Sequence, residues 1–98
     1  MALLSPAEVN SKLSKFPGWQ LVKGKIIERS FTLKNFVAAL AFVNKVGELA
    51  EAANHHPDIL IHNWNKVKIS LSTHSAGGLT AKDFSLAGQV DEEFLSFE

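Results

Sequence analysis

The residues in this chain best suited to moving protons are its histidines, and all four, His55, His56, His62 and His74, lie between Glu51 and Asp83. Imidazole is the one side chain whose ordinary pKa, about 6.5, lets it give or take a proton near neutrality. His55 and His56 stand directly before Pro57, which pushes His56 out of helical backbone into an extended conformation. Neighbours in an extended segment point in different directions. The pair is therefore poorly arranged to grip one small ion and better arranged to present two imidazoles to different atoms of one flat ligand. His74 follows a strand-like run and precedes a glycine-containing loop, where sites commonly sit on a rigid scaffold. Three converging histidines suit either acid–base chemistry or a three-histidine metal site. The metal reading lacks a His-x-x-x-His spacing and an adjacent carboxylate, so acid–base use is the stronger. Taken singly, each histidine reads more readily as a surface or capping residue, and His62, at a strand end, stays in that class.

Other polar residues around them have two readings each. Asp83 follows Thr80 by three residues, so it is as well explained as the partner in a helix capping box as by a catalytic role. Glu51, four residues before His55, either orients an imidazole or is an ordinary solvated helix residue. Trp64 suits stacking on a planar ligand, although a tryptophan in a turn is more often a lid on the core. Lys66 and Lys68 fall on the polar side of a strand and read as solvated or as subunit contacts. There is no glycine-rich nucleotide fingerprint, no phosphate-binding loop and no nucleophile elbow, so nucleotide cofactors and acyl-enzyme chemistry have no motif behind them.

Bulk properties narrow the field. The chain has 98 residues, enough for a single domain of modest stability that oligomerisation would help. Ten basic and ten acidic residues cancel, so no global field draws it to nucleic acid or acidic membranes. It has no cysteine, which excludes a disulfide framework and thiolate zinc sites and fits a cytoplasmic protein. No run approaches the roughly 20 apolar residues of a membrane span, and the first residues lack the basic segment of a signal peptide.

The elements that must position the histidines follow from periodicity. Ser5-Pro6-Ala7-Glu8 starts a helix with Val9 and Leu13 on one face, and Pro17-Gly18 ends it near Phe16. Trp19–Val22 and Lys25–Phe31 form a hairpin around Lys23-Gly24. Thr32 caps a long helix over Lys34–Ala53, with Phe36, Leu40, Val43, Val46, Leu49, Ala50 and Ala53 as its apolar stripe, widened by Val37 and Phe42. Asn54 closes that helix, and Pro57 stops any extension. Asp58–His62 reads as a buried strand, Asn63-Trp64-Asn65 as a turn, and Lys66–Ser72 as a strand whose Val67, Ile69 and Leu71 face a core. Ser75–Gly78 is a loop, and Thr80 caps a last helix over Ala81–Leu95 with Phe84, Leu86, Ala87, Val90 and Phe94 inward. The order α-β-β-α-β-β-α predicts an α+β domain over residues 1–98: a four-stranded antiparallel sheet with helices packed on one face. A sheet covered on one face leaves its other face and its edges for a second subunit.

Written out, the central stretch is Glu51-x3-His55-His56-Pro57-x6-Trp64-x9-His74-x8-Asp83. This resembles the signature of the pterin-4a-carbinolamine dehydratase family. Trp19 after Gly18, Phe31 and Phe36, Asn65-Lys66-Val67, Leu71-Ser72-Thr73-His74 and Gly78-Leu79-Thr80 match as well, so the resemblance covers nearly the whole chain. The gap from Pro57 to Trp64 is the longer of the two usual spacings, and relatives often carry tyrosine at the aromatic position. The resemblance implies dehydration of 4a-hydroxytetrahydrobiopterin to quinonoid dihydropterin and water, in the pathway of the aromatic amino acid hydroxylases, with no metal or cofactor. It implies His55, His56 and His74 as the catalytic and binding set, with Asp83 supporting them. Asn54, Pro57, Ser72 and Thr73 would contact the pterin, and Glu51 and Trp64 would support the site. It also implies a homo-oligomer, dimer or tetramer. Some animal relatives act as dimerisation cofactors of a transcription factor, which makes a protein-interaction module the alternative reading.

Overall fold

The structure, a computed structural model, describes residues 2–98. Three helices and four strands follow in the expected order: α1 (Pro6–Leu13), β1 (Gln20–Val22), β2 (Ile26–Thr32), α2 (Phe36–Ala53), β3 (Asp58–His62), β4 (Lys66–Leu71) and α3 (Ala81–Leu95). The strands form one antiparallel sheet in the order β1-β2-β4-β3.

Alternation along the central strands decides which face the helices cover. Val67, Ile69 and Leu71 are buried on β4, and across from them on β2 stand Phe31, Arg29 and Ile27. The other face carries Glu28, Ser30, Lys66, Lys68 and Ser70, none of them buried, with no helix of the described residues over it. The core is aromatic where α2 and α3 meet the sheet. Phe31 lies 5.0 Å from Phe42 and 4.8 Å from Phe94 between ring centroids. Arg29 is the polar exception on this face. Its guanidinium lies over Phe31 and bonds Asp91 of α3 at 2.8 Å, and Asp91 also accepts from the buried Trp19 indole at 2.9 Å. The ion pair therefore ties β2, the entry to β1 and α3 together.

The helix starts are chemically marked. Ser5 and Glu8 form a reciprocal capping box on α1. The bond from the Ser5 backbone N–H holds the Glu8 carboxyl below its ordinary pKa.

Four expectations are corrected. First, α1 ends at Leu13, before Phe16, in tightened turns from Lys15 N–H to Lys12 C=O and Phe16 N–H to Leu13 C=O. Second, α2 begins at Phe36 with Asn35 as its cap, not at Lys34 behind Thr32. Thr32 is still paired with Lys66, and the Leu33 N–H bonds the Asn65 carbonyl, so the strand holds the chain until the Asn35 side chain accepts from the Ala38 N–H at 2.8 Å. Third, the stripe of α2 against the core is Ala39, Phe42, Val46 and Ala50, with Val43 and Leu49 beside it. Phe36 and Leu40 are exposed, as is Val37 at 73%. The inward face of the helix is rotated from the expected stripe and takes in Ala39 in place of Phe36 and Leu40. Fourth, β3 is an edge strand and not a buried one: Ile59 is 36% and Leu60 49% exposed. A three-residue apolar run is ambiguous between a central strand and an edge.

Candidate functional site

The end of α2, the start of β3, the end of β4 and the start of α3 meet at one end of the sheet. Asn54 ends α2 in left-handed backbone, φ 49°, and its N–H returns to the Ala50 and Glu51 carbonyls. That sharp stop turns the chain, so that His55 points inward and His56 outward. The His55 ring is buried, and its Nε2 lies 2.6 Å from Oδ1 of Asp83. The His56 ring is exposed and its Nε2 pairs with a carboxylate oxygen of Glu51, one helical turn back. Glu51 thus serves His56, not His55.

Asp83 is fully buried at 0% exposure, and each of its oxygens has work. Oδ2 accepts from the Thr80 backbone N–H at 2.9 Å and from the Thr73 hydroxyl at 2.8 Å, leaving Oδ1 to His55. The Thr73 hydroxyl in turn lies 2.8 Å from that of Thr80. Because the Thr73 proton goes to Asp83, the Thr80 hydroxyl donates to Thr73. The capping box of α3 and the partner of the histidine are the same carboxylate, so the capping reading of Asp83 holds and the same side chain also braces the His55 ring. A carboxylate only accepts, so a His55 proton sits on Nε2 toward it, and in the neutral ring Nδ1 carries the lone pair.

His74 arrives by a different route. β4 ends at Leu71, one residue earlier than expected, and Thr73 makes an isolated bridge to Gly78. Between them His74–Ala76 winds one 3-10 turn, closed by Gly77 at φ 76°. The bridge fixes both ends of the turn and leaves the exposed His74 ring at its head.

These pieces surround an open cleft of about 380 Å³ lined by Asn54, His55, His56, Ser72, Thr73, His74, Ser75 and Lys82. His56, Ser72 and His74 also border a smaller neighbouring pocket of about 50 Å³ toward Asp58 and Ser70 on the uncovered face of the sheet. The volume suits a small bicyclic ligand. Of the residues anticipated, Asn54, His55, His56, Ser72, Thr73 and His74 line the cleft, Asp83 lies behind it, and Glu51 braces one ring. Pro57 shapes the backbone without lining the cleft. Trp64 does not join the cluster within the chain. It sits in the β3–β4 turn at the opposite end of β3, 62% exposed, and is no lid on the core either. His62 also stands at that far end, opposite Lys66. Lys82 and Ser75 were not anticipated. Their only sequence signal is adjacency to Thr80 and His74. Among the described residues, no group of three His, Cys, Asp or Glu side chains is arranged to hold a metal ion.

A fold of one sheet and three helices with a histidine cleft at the sheet end defines a class, and comparison gives the family. Residues 2–93 match the family described as Pterin 4 alpha carbinolamine dehydratase. The chain belongs to that family. It is 55% identical over 89 residues to a protein of Picosynechococcus sp. named "Putative pterin-4-alpha-carbinolamine dehydratase", covering 91% of this chain and 95% of the relative. A protein of the same name from Chloroflexus aggregans is 55% identical over 92 residues, covering 94% and 97%. Among solved structures, the transcriptional coactivator/pterin dehydratase of Brucella melitensis superposes with a TM-score of 0.88 at 34% identity, over 94% of this chain and 98% of that one.

Proposed function

We propose that the chain acts as one unit that dehydrates 4a-hydroxytetrahydropterins, 4a-hydroxytetrahydrobiopterin among them, to the quinonoid dihydropterin and water. In this role it recycles, in the cytoplasm, the cofactor of aromatic amino acid hydroxylases. The observation that carries the reading is the cleft itself: three imidazoles from two separate segments face one open space, and one of them is locked onto a buried carboxylate.

The reaction breaks the C4a–O bond, removes the N5 proton and releases the hydroxyl as water after it gains a proton. It is redox-neutral and asks of the protein one base and one acid. His55, with Nε2–H committed to Asp83, offers Nδ1 as the acceptor for the N5 proton. His56 and His74, exposed on the cleft, are the groups to protonate the departing hydroxyl. Asn54, Ser72 and Thr73 supply polar contacts along the ring edge. Such positioned acid–base groups contribute about 10²–10⁴-fold each. Stopped-flow decay of chemically prepared 4a-hydroxytetrahydropterin tests this. The native chain should exceed the spontaneous rate, and His74→Ala should lose most of the excess. A native rate equal to buffer would end the proposal.

A second reading has its own observation. Phe36, Val37 and Leu40 form an exposed apolar strip at the start of α2, suited to contact with another chain. The Brucella relative is named a coactivator as well as a dehydratase. The strip serves equally for self-association into a dimer or tetramer. Val37→Glu with Leu40→Glu separates the roles: lost assembly with retained dehydration assigns the strip to contacts between chains.

A further inference from the structure

We propose that a cavity between the N-terminal segment and the β1–β2 turn binds an aliphatic carboxylate, and that its occupant bears on the turn that carries His74. The cavity measures about 290 Å³ and shares no lining residue with the histidine cleft. Segments far apart in the chain build it, and its walls are aliphatic. Leu4, Pro6 and Val9 come from the N-terminal segment and α1, Leu21 from β1, and Leu79 from the approach to α3. No aromatic ring lines it, so an alkyl chain gains contacts on several sides while a flat heterocycle finds nothing to stack on. Leu3 and Leu21, 56% and 39% exposed, are apolar surface that such a chain would cover. Lys25 is the one ionisable side chain in the lining, and no acid stands there to pair with it. Among the described residues Lys25 makes no salt bridge. An aliphatic pocket with a single uncompensated ammonium is complementary to a chain that ends in a single negative charge, with the few polar groups fixing its orientation.

One wall of this cavity is the far side of the His74 turn. Gly77, which closes that turn, and Gly78 both line it. Gly78 is buried and its φ is not positive, so its missing side chain answers a need for space: a Cβ there would come within 2.9 Å of Leu3 Cδ1. The N-terminal segment is strapped down beside it by the bond from the Leu4 N–H to the Leu79 carbonyl, 2.9 Å. The Gly78 carbonyl in turn accepts from the Thr73 N–H at 2.8 Å, and Thr73 immediately precedes His74. An occupant that presses on Leu3 and Gly78 is thus one hydrogen-bonded pair away from the head of the turn.

Octanoate is the probe, titrated calorimetrically into the full chain. Each methylene added between butanoate and octanoate should tighten binding about fourfold while the chain stays within the aliphatic walls. Lys25→Glu reverses an exposed charge and should weaken octanoate binding about tenfold, whereas Lys25→Arg should keep it. Lys82→Gln, which removes the cation of the histidine cleft, should leave the affinity unchanged. Loss of binding in Lys82→Gln with none in Lys25→Glu would place the carboxylate in the cleft and overturn the site. No binding at millimolar octanoate, or an affinity indifferent to chain length, would overturn it as well. For the coupling, saturating octanoate should shift the amide NMR signals of Gly77 and Gly78 and the ring signals of His74, in Lys82→Gln as in the native chain. A His74 ring that does not respond while Gly78 does would overturn the coupling and leave the site. Every readout is of binding, so the result stands apart from whether the chain dehydrates pterins.

Discussion

His55 and Asp83, 28 residues apart, meet at 2.6 Å in the protein interior, and that bond joins the exit of α2 to the entry of α3. The histidine offered for proton transfer is therefore also a structural member, and the two roles have separable consequences.

Replacing Asp83 by alanine should cost about 2–4 kcal/mol, because the Thr80 N–H, the Thr73 hydroxyl and the His55 ring lose their shared acceptor together. Asp83→Asn is the informative partner. Its amide oxygen still satisfies Thr80 and Thr73, so stability should fall less, while its NH₂ faces His55 and forces the opposite tautomer. Thermal unfolding should rank native, Asn, Ala, whereas dehydration should fall about 10²-fold or more in both variants.

His55→Ala and His74→Ala should match in activity and differ in stability. Both should lose about 10²–10⁴-fold in rate. His55→Ala leaves one oxygen of Asp83 buried without its partner and should cost about 1–3 kcal/mol. His74 is exposed at the head of its turn, so its removal should leave the denaturant midpoint within experimental scatter. Equal destabilisation by the two would contradict the burial of His55.

Glu51→Gln tests the exposed pair. Both side chains are more than half exposed, and ion pairs of that kind contribute about 0–1 kcal/mol. The unfolding midpoint should hardly move. Any drop in turnover would then report the orientation of His56 and not the stability of the fold.

Away from the site, Asp91→Ala should cost about 2–3 kcal/mol, since it strands the Arg29 guanidinium and the Trp19 indole N–H in partly buried surroundings. Trp19 fluorescence should change in the folded state. Gly18→Ala should act on the same pair by a different route, because a Cβ there comes within 2.7 Å of the Arg29 side chain and must displace it.

Much of this was legible in the sequence where a local rule applied. The capping box of Ser5 and Glu8, the hairpin at Lys23-Gly24 and the alternation of Val67, Ile69 and Leu71 each state their own structure. Thr80 and Asp83 announce a helix start, and the resemblance around His55, His56 and His74 named the cleft. What the sequence withheld is relational. The rotation of α2 depends on what it packs against, so Phe36 and Leu40 read as core when taken alone. Ile59-Leu60-Ile61 reads as interior because strand order is a property of the sheet. The pairing of Glu51 with His56 instead of His55 follows from the left-handed turn at Asn54, which no spacing rule supplies.

The double duty of Asp83 restricts what mutation can explore at that position. Serine, threonine or asparagine can begin a helix there or nearby, and glutamate keeps the charge. None of them offers two acceptor oxygens at the same reach, one for the Thr80 cap and one for the His55 ring. In a survey of all replacements at residue 83, selection for folding and selection for turnover should leave nearly the same short list of survivors. At His74 the two lists should diverge, with many residues tolerated for folding and few for turnover.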